Sequence, residues 1–269
     1  MKSLKKWIQA LATLASLSVF ASGTVGSFAA TPSSSLNHHG STVSNHPIVA
    51  LGDSISYGYN LGNNKAPSPL AFPELLGSAY HLPVVNLSHP GWTTTDVLGL
   101  LSSASAKASL KSAALVTLDI GSNDLIQATE PILKEAETGQ PITVTPQDEE
   151  TAQAAIINAN KNLLRIVAEI RMDTKAPIVL LNLYNPFPAT PGQTTLHSVT
   201  AQLEAPLNLW IAHVALGPHI VLVNANQVFA GKQASLILPL DIHPTAQGQS
   251  LLAKAILQAV KKTPWIHLK

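Results

Sequence analysis

The sequence predicts an α/β domain built on a parallel β-sheet with helices on both faces. Two observations predict it. Five short apolar runs punctuate the chain, and helical patterns fill the intervals between them. Strands covered on both faces lose the polar alternation of half-exposed strands, so runs of this kind suit a buried parallel sheet.

The first run, Pro47 to Leu51, ends at Gly52, and the second is Leu82 to Leu87. Ala113 to Ile120 is the third and again ends in a glycine, Gly121. Ala176 to Leu183 and His219 to Val223 complete the set. Thr93 to Ala106 reads as a helix whose Thr-rich start can cap it. Asp148 to Met172 carries apolar residues at Ala155, Ile156, Leu163, Leu164, Ile166 and Val167, with acids at the end where the helix dipole favours them. Thr200 to Ala215 is a third helical pattern, which Pro206 is expected to break or to start late. Thr245 to Lys261 closes the domain with a basic last turn. Two long loops are expected, over 126–147 and 184–199. The second carries Tyr184, Pro186, Phe187, Pro188 and Pro191, and forms either one apolar wall for a substrate chain or an ordinary surface loop.

Composition narrows the function. The 269 residues are 46% hydrophobic, enough for one sizeable core. Sixteen basic and fifteen acidic residues leave a net charge of +1, which gives no footing for a nucleic-acid partner. There is no cysteine, hence neither a disulfide scaffold nor a thiolate nucleophile. Residues 1–30 read as a secretory signal peptide: Lys2, Lys5 and Lys6 precede an uncharged, largely apolar stretch from Trp7 to Phe20, and small residues follow, with cleavage expected after Ala29 or Ala30, or at Ala21. The apolar stretch is short for a membrane span, which needs about 20 residues, so the other reading is an uncleaved anchor. Cleavage removes three lysines and no acid, taking the net charge from +1 to −2. Residues 31–45, rich in Ser and Asn, read as a flexible linker, and the folded domain is expected over 46–269. Export and no stable membrane span after cleavage are the resulting expectations. Oligomeric state is left open.

In an open parallel sheet, ligands bind beyond the carboxyl ends of the strands. Those ends carry Gly52-Asp53-Ser54, then Ser88-His89-Pro90-Gly91-Trp92, then Gly121-Ser122-Asn123-Asp124. Asp241-Ile242-His243-Pro244 precedes the last helix. These pieces supply acyl transfer. A serine hydroxyl becomes a nucleophile when a base takes its proton, and an imidazole titrating near neutrality can do so. Ser54 is the candidate nucleophile and His243 the candidate base. The oxyanion that forms needs donors, for which the amides of Ser54 and Gly91 and the side chain of Asn123 are candidates. Singly, each residue has a plainer reading: Ser54 as a helix cap, Gly91 as a turn residue, Asn123 as a loop amide and His243 as a residue at a helix start. Their order and placement favour the chemical one.

With those four blocks the sequence resembles the GDSL, or SGNH, family of lipases and esterases, over residues 46 to 262. The resemblance implies a flavodoxin-like three-layer α/β/α sandwich of five parallel strands in the order 2-1-3-4-5. It also implies hydrolysis of esters or thioesters, with a small-molecule or lipid ester as partner and with no metal and no cofactor. The family usually places a catalytic Asp three positions before the His. Here that position is Leu240, and the acid is Asp241, two before. Either Asp241 orients His243 or a backbone carbonyl does. Carbohydrate deacetylase, lysophospholipase and thioesterase activities use the same machinery, and a binding module that has lost catalysis is the non-enzymatic alternative.

Asp53 and Asp124 are expected to anchor loops, and His89 to pack within its loop. Asp96 suits the first turn of its helix. Trp92 either lines the pocket or packs. His38 and His39, adjacent and without partners, belong to the linker rather than to a metal site.

Overall fold

The structure is a computed structural model that describes residues 46–137 and 143–268. The expected signal segment, the linker and the His38-His39 pair lie outside the described residues.

Five strands, β1 (Ile48–Gly52), β2 (Val84–Asn86), β3 (Leu115–Asp119), β4 (Ile178–Leu181) and β5 (Ile220–Val223), form one sheet in the order β2-β1-β3-β4-β5. All pairs are parallel, with Ile48 beside Val84 and Leu115, and Ile178 beside Val116 and Ile220. Among the described residues the helices are α1 (Ser54–Tyr57), α2 (Phe72–Tyr80), α3 (Thr94–Leu101), α4 (Ala104–Lys111), α5 (Ser122–Glu137), α6 (Pro146–Asp173), α7 (Thr194–Val214), α8 (Ala225–Phe229), α9 (Gln233–Leu236) and α10 (Ala246–Lys261).

Alternation along each strand divides the core. Val49, Leu51, Val116, Leu118, Ile178 and Leu180 point to one face and pack with apolar side chains of α3, α5, α6 and α7. Ile48, Leu115, Val179, Leu181 and Val223 point to the other, towards α2, α8, α9 and α10. Because both faces are covered, both phases of the alternation are apolar, which is why the strands read as unbroken runs. Burying one such Leu or Ile side chain is worth about 1.5–3 kcal/mol. Arg171 ties the end of α6 to the sheet by donating to the Ala176 carbonyl at 2.7 Å and the His219 carbonyl at 2.8 Å.

The three-layer architecture and strand order agree with the expectation, and three helical boundaries do not. The single helix expected over Thr93 to Ala106 is two, because the Ser103 hydroxyl caps α4 by accepting from the Ala106 amide. The helix expected from Thr200 begins at Thr194 and runs through Pro206. Its apolar face buries Leu196, Val199, Leu203, Leu207 and Ile211, and that packing outweighs the lost backbone bond. The loop expected over 126–147 is helical to Glu137, since Leu125, Ile126, Ile132 and Leu133 fall at helical spacing despite Pro131.

Candidate functional site

Ser54 is the first residue of α1, at the turn out of β1. The helix cap is Asp53, whose Oδ1 accepts from the Ile55 amide at 2.9 Å. The capping role considered for Ser54 is therefore taken by its neighbour. The turn needs Gly52, because a Cβ there would meet the Asp119 carbonyl at 2.5 Å and the Ser56 Oγ at 2.7 Å.

Asn123 enters α5 from the end of β3. Its Nδ2 donates to the Trp92 carbonyl at 2.9 Å and reaches Asp53 Oδ2 at 3.4 Å. The second contact lies beyond the roughly 2.7–3.2 Å of a firm bond, so one amide proton is only loosely held. Gly91 stands beside Trp92 at φ 81°, a left-handed conformation that favours glycine, and its carbonyl accepts from Gln127 at 3.4 Å. Asp53, Asp119 and Asp124 are buried around these residues. Ser122 donates to Asp53 at 2.5 Å, and Ser56 to Asp119 at 3.1 Å. Asp124 accepts from the Thr94 amide at 2.9 Å and the Thr94 hydroxyl at 2.6 Å, which fixes α3 against α5. Burial pushes the Asp53 carboxyl up to about 6, against the bonds from Ser122 and Ile55 and the attraction of His243. Asp119 is pushed well above the usual carboxylate range by burial and then by Asp53.

His243 lies on the loop between α9 and α10. Its Nδ1 is 2.5 Å from Asp241 Oδ1, so the short spacing does bring the acid to the ring. The loop achieves this by a tight turn: Leu240 adopts φ 57° with its side chain in solvent, and Asp241 Oδ1 also accepts from the Ile242 amide at 2.6 Å. The other oxygen of Asp241 accepts from Asn60 Nδ2 at 2.7 Å. Burial pushes the Asp241 carboxyl up, but the bonds from Asn60, His243 and the Ile242 amide outweigh it and hold the group below its ordinary value.

Asn60 and Gln249, overlooked in the sequence, and Tyr184, read there only as part of an apolar loop, join the two halves. Asn60 links the segment after α1 to Asp241. Tyr184 donates its hydroxyl to the Ile242 carbonyl at 2.7 Å while its ring stacks on Phe229. Gln249, fully buried on α10, donates to the Ile55 carbonyl and accepts from the Phe72 amide, each at 2.9 Å. Nothing local marks them, since each acts on a partner 58 to 194 residues away.

A cavity of about 280 Å³ opens beside Ser54 and Asn123. Leu125, Ile126, Leu133, Leu183, Phe187 and Leu196 give it an apolar wall, and Ile242 brings the histidine loop to it. Tyr184, Pro186 and Phe187 thus form the apolar wall considered for their loop. Trp92 packs against the core and stacks on His89, with ring centroids 5.3 Å apart, outside the cavity walls. His243 and Gly91 are likewise set back from those walls, His243 with its ring 5.1 Å from that of Tyr59. Asp96 accepts from the Thr93 amide at 2.8 Å, as its place in the first turn predicts. Among the described residues, no group of three His, Asp or Glu side chains could hold a metal ion, and no helix is long and apolar enough to cross a membrane.

Comparison with known proteins bears on the fold and the family. A spore germination lipase of Bacillus licheniformis is 23% identical over 218 residues, covering 78% of this chain and 94% of the relative. A lipase structure from a goat rumen metagenome superposes with a TM-score of 0.66 at 22% identity, covering 83% of this chain and 99% of the other. An acetyl xylan esterase of Geobacillus stearothermophilus gives 0.54 at 20% identity, covering 80% and 94%. The model of the GDSL-like lipase/acylhydrolase family matches residues 50–251, and the chain belongs to that family of ester hydrolases.

Proposed function

We propose that this carboxylic ester hydrolase is secreted and works through an acyl-enzyme on Ser54, with His243 as general base. The observation that carries the mechanism is the chain of contacts Asn60–Asp241–His243, at 2.7 and 2.5 Å, beside a cavity walled by Ser54, Asn123 and Ile242. With Nδ1 bonded to Asp241, His243 keeps Nε2 for the serine proton. Ser54 Oγ attacks the ester carbonyl carbon as its proton passes to Nε2. The amides of Ser54 and Gly91 and the loosely held proton of Asn123 receive the oxyanion. Collapse breaks the bond to the alcohol, which leaves with the proton from His243. Water then repeats the sequence on the acyl-enzyme and releases the acid.

The apolar wall supports an acyl chain over a polysaccharide, and a volume near the small end of ligand pockets, roughly 300 Å³, supports a short to medium chain. Export rests on the charge and hydropathy of residues 1–30. Ser54→Ala is expected to abolish hydrolysis of a short p-nitrophenyl ester while its circular dichroism and melting temperature match the wild type, and a fluorophosphonate is expected to label Ser54 alone. Turnover persisting in the alanine variant would reject the mechanism. N-terminal sequencing of protein from the culture medium tests export, and a chain still starting at Met1 would sink it.

A further inference from the structure

Two polar groups in the cavity wall serve neither the fold nor the proposed mechanism. Glu204, on α7, is buried with 5% of its surface exposed, and its Oε2 has no hydrogen-bond partner among the described residues. Thr200, four residues earlier on the same helix face, has a buried Oγ1 that is also unpartnered. Both line the cavity, among Leu125, Leu133, Leu183 and Leu203. The other polar residues there are otherwise engaged. Asp119 and Ser122 hold the nucleophile turn, and Asn123 serves the proposed oxyanion site. Thr129 donates to the Leu125 carbonyl at 2.6 Å, and Glu130 pairs with Lys134 at 2.7 Å.

A buried carboxyl and hydroxyl without partners are costly, and an apolar side chain would fill the same wall without that cost. We infer that Glu204 and Thr200 determine acyl-chain specificity, binding a hydroxyl group carried by the chain. This rests on the reading of the cavity as the acyl site of Ser54. Burial pushes the Glu204 carboxyl up to about 8, so near neutral pH it is uncharged and offers both an O–H donor and a carbonyl acceptor. A substrate hydroxyl donates and accepts, and so complements such a group and the Thr200 hydroxyl together. An alkyl chain leaves both unsatisfied. An ammonium substituent needs the ionised carboxylate, which this environment disfavours.

The test compares kcat/KM for p-nitrophenyl alkanoates with that for their hydroxylated counterparts of equal length, the hydroxyl moved stepwise along the chain. An ammonium-bearing chain serves as control. Sites that hydrogen-bond a substrate group discriminate strongly against analogues lacking it. The wild type is therefore expected to prefer at least one hydroxylated isomer by about tenfold or more. Glu204→Leu is expected to bring that ratio to near unity, Thr200→Val to lower it severalfold, and Glu204→Gln to keep most of it, because an amide still donates and accepts. Each ratio is internal to one preparation, so partial misfolding cancels, and the near-isosteric Thr200→Val keeps the test open if Glu204→Leu does not fold. A wild type indifferent to the hydroxyl overturns the inference and leaves the esterase reading standing. So does an unchanged ratio in Glu204→Leu, or a stronger preference for the ammonium chain. Absence of turnover with every ester overturns both.

Discussion

The two halves of the site are built in opposite ways. The half around Ser54 grows out of the sheet. Asp53, Asp119 and Asp124 are buried there, and hydroxyls and amides from Ser56, Ser122, Thr94 and Ile55 satisfy them. The half around His243 is a loop between two helices, with the His243 and Asp241 side chains partly open to solvent at 13% and 18%. Leu240 beside them sits at φ 57° in full exposure. A short antiparallel bridge between Ile237 and Pro244 and long-range bonds from Asn60 and Tyr184 hold that loop. A strand end is fixed by the register of its neighbours, whereas a loop is fixed only by the bonds that reach it. Loss of the bonds that hold the histidine loop should therefore reach the rate before the stability, and changes to the buried acids behind Ser54 should reach the stability first.

The largest break expected from this contrast is Asp241→Asn. The ring loses its ionised acceptor and the imidazolium its stabilising charge, which lowers kcat by about 10³–10⁴ where such a contact operates. The melting temperature should stay within a few degrees of the wild type, because the loop carries little of the core. A loss below about tenfold would mean that the backbone orients His243 and the short contact is incidental.

A smaller break comes one bond further out. Asn60→Gly preserves the left-handed backbone at φ 64° and removes the side chain that holds Asp241 and that also accepts from Asn64 Nδ2 at 3.0 Å. We expect kcat to fall about tenfold, near the worth of a single hydrogen bond to a charged group, with KM little changed. In the Asp241→Asn background the same substitution should cost much less, since the two act on one network. Full additivity would show that Asn60 acts elsewhere than through Asp241.

The same contrast decides what was legible in the sequence. The serine half could be read because each piece sits at a strand end, where an apolar run announces it: Ser54 after Leu51, Asn123 after Ile120. Asp241 was harder, because its spacing from His243 departs from the family pattern and only the turn at Leu240 shows how the carboxylate returns to the ring. Asn60 and Gln249 carried no signal at all, since their partners are distant in sequence and their residue types are common, and Tyr184 was legible as part of an apolar loop but not as the donor to Ile242. Glu204 was hidden differently. An acid in a helix reads as a solvated face, and nothing in its neighbours shows that α7 turns that position inward. Pro206 misled one helix boundary, because packing of an apolar face overrides the local cost of a proline.

The smallest effect lies in the serine half and concerns stability alone. Asp53 and Asp119 are both raised above their ordinary values, by burial first and, for Asp119, by the neighbouring Asp53 as well. The folded chain therefore keeps protons that the unfolded chain surrenders once the pH passes about 4. In that window the unfolded state binds fewer protons, so stability is fullest below pH 4 and declines as the pH rises through about 6 and beyond. Asp119→Asn removes one of the two acids and keeps an oxygen that can accept from Ser56. The variant and the wild type should melt together at pH 4. As the pH rises towards 8 the variant should become increasingly the more stable of the two. Melting curves across that range check it. A gap that stays constant with pH would place the effect in packing rather than in charge, and one that opens towards acid would mean that these carboxyls are ionised in the fold and held by their donors, a frame that charge supports instead of opposes.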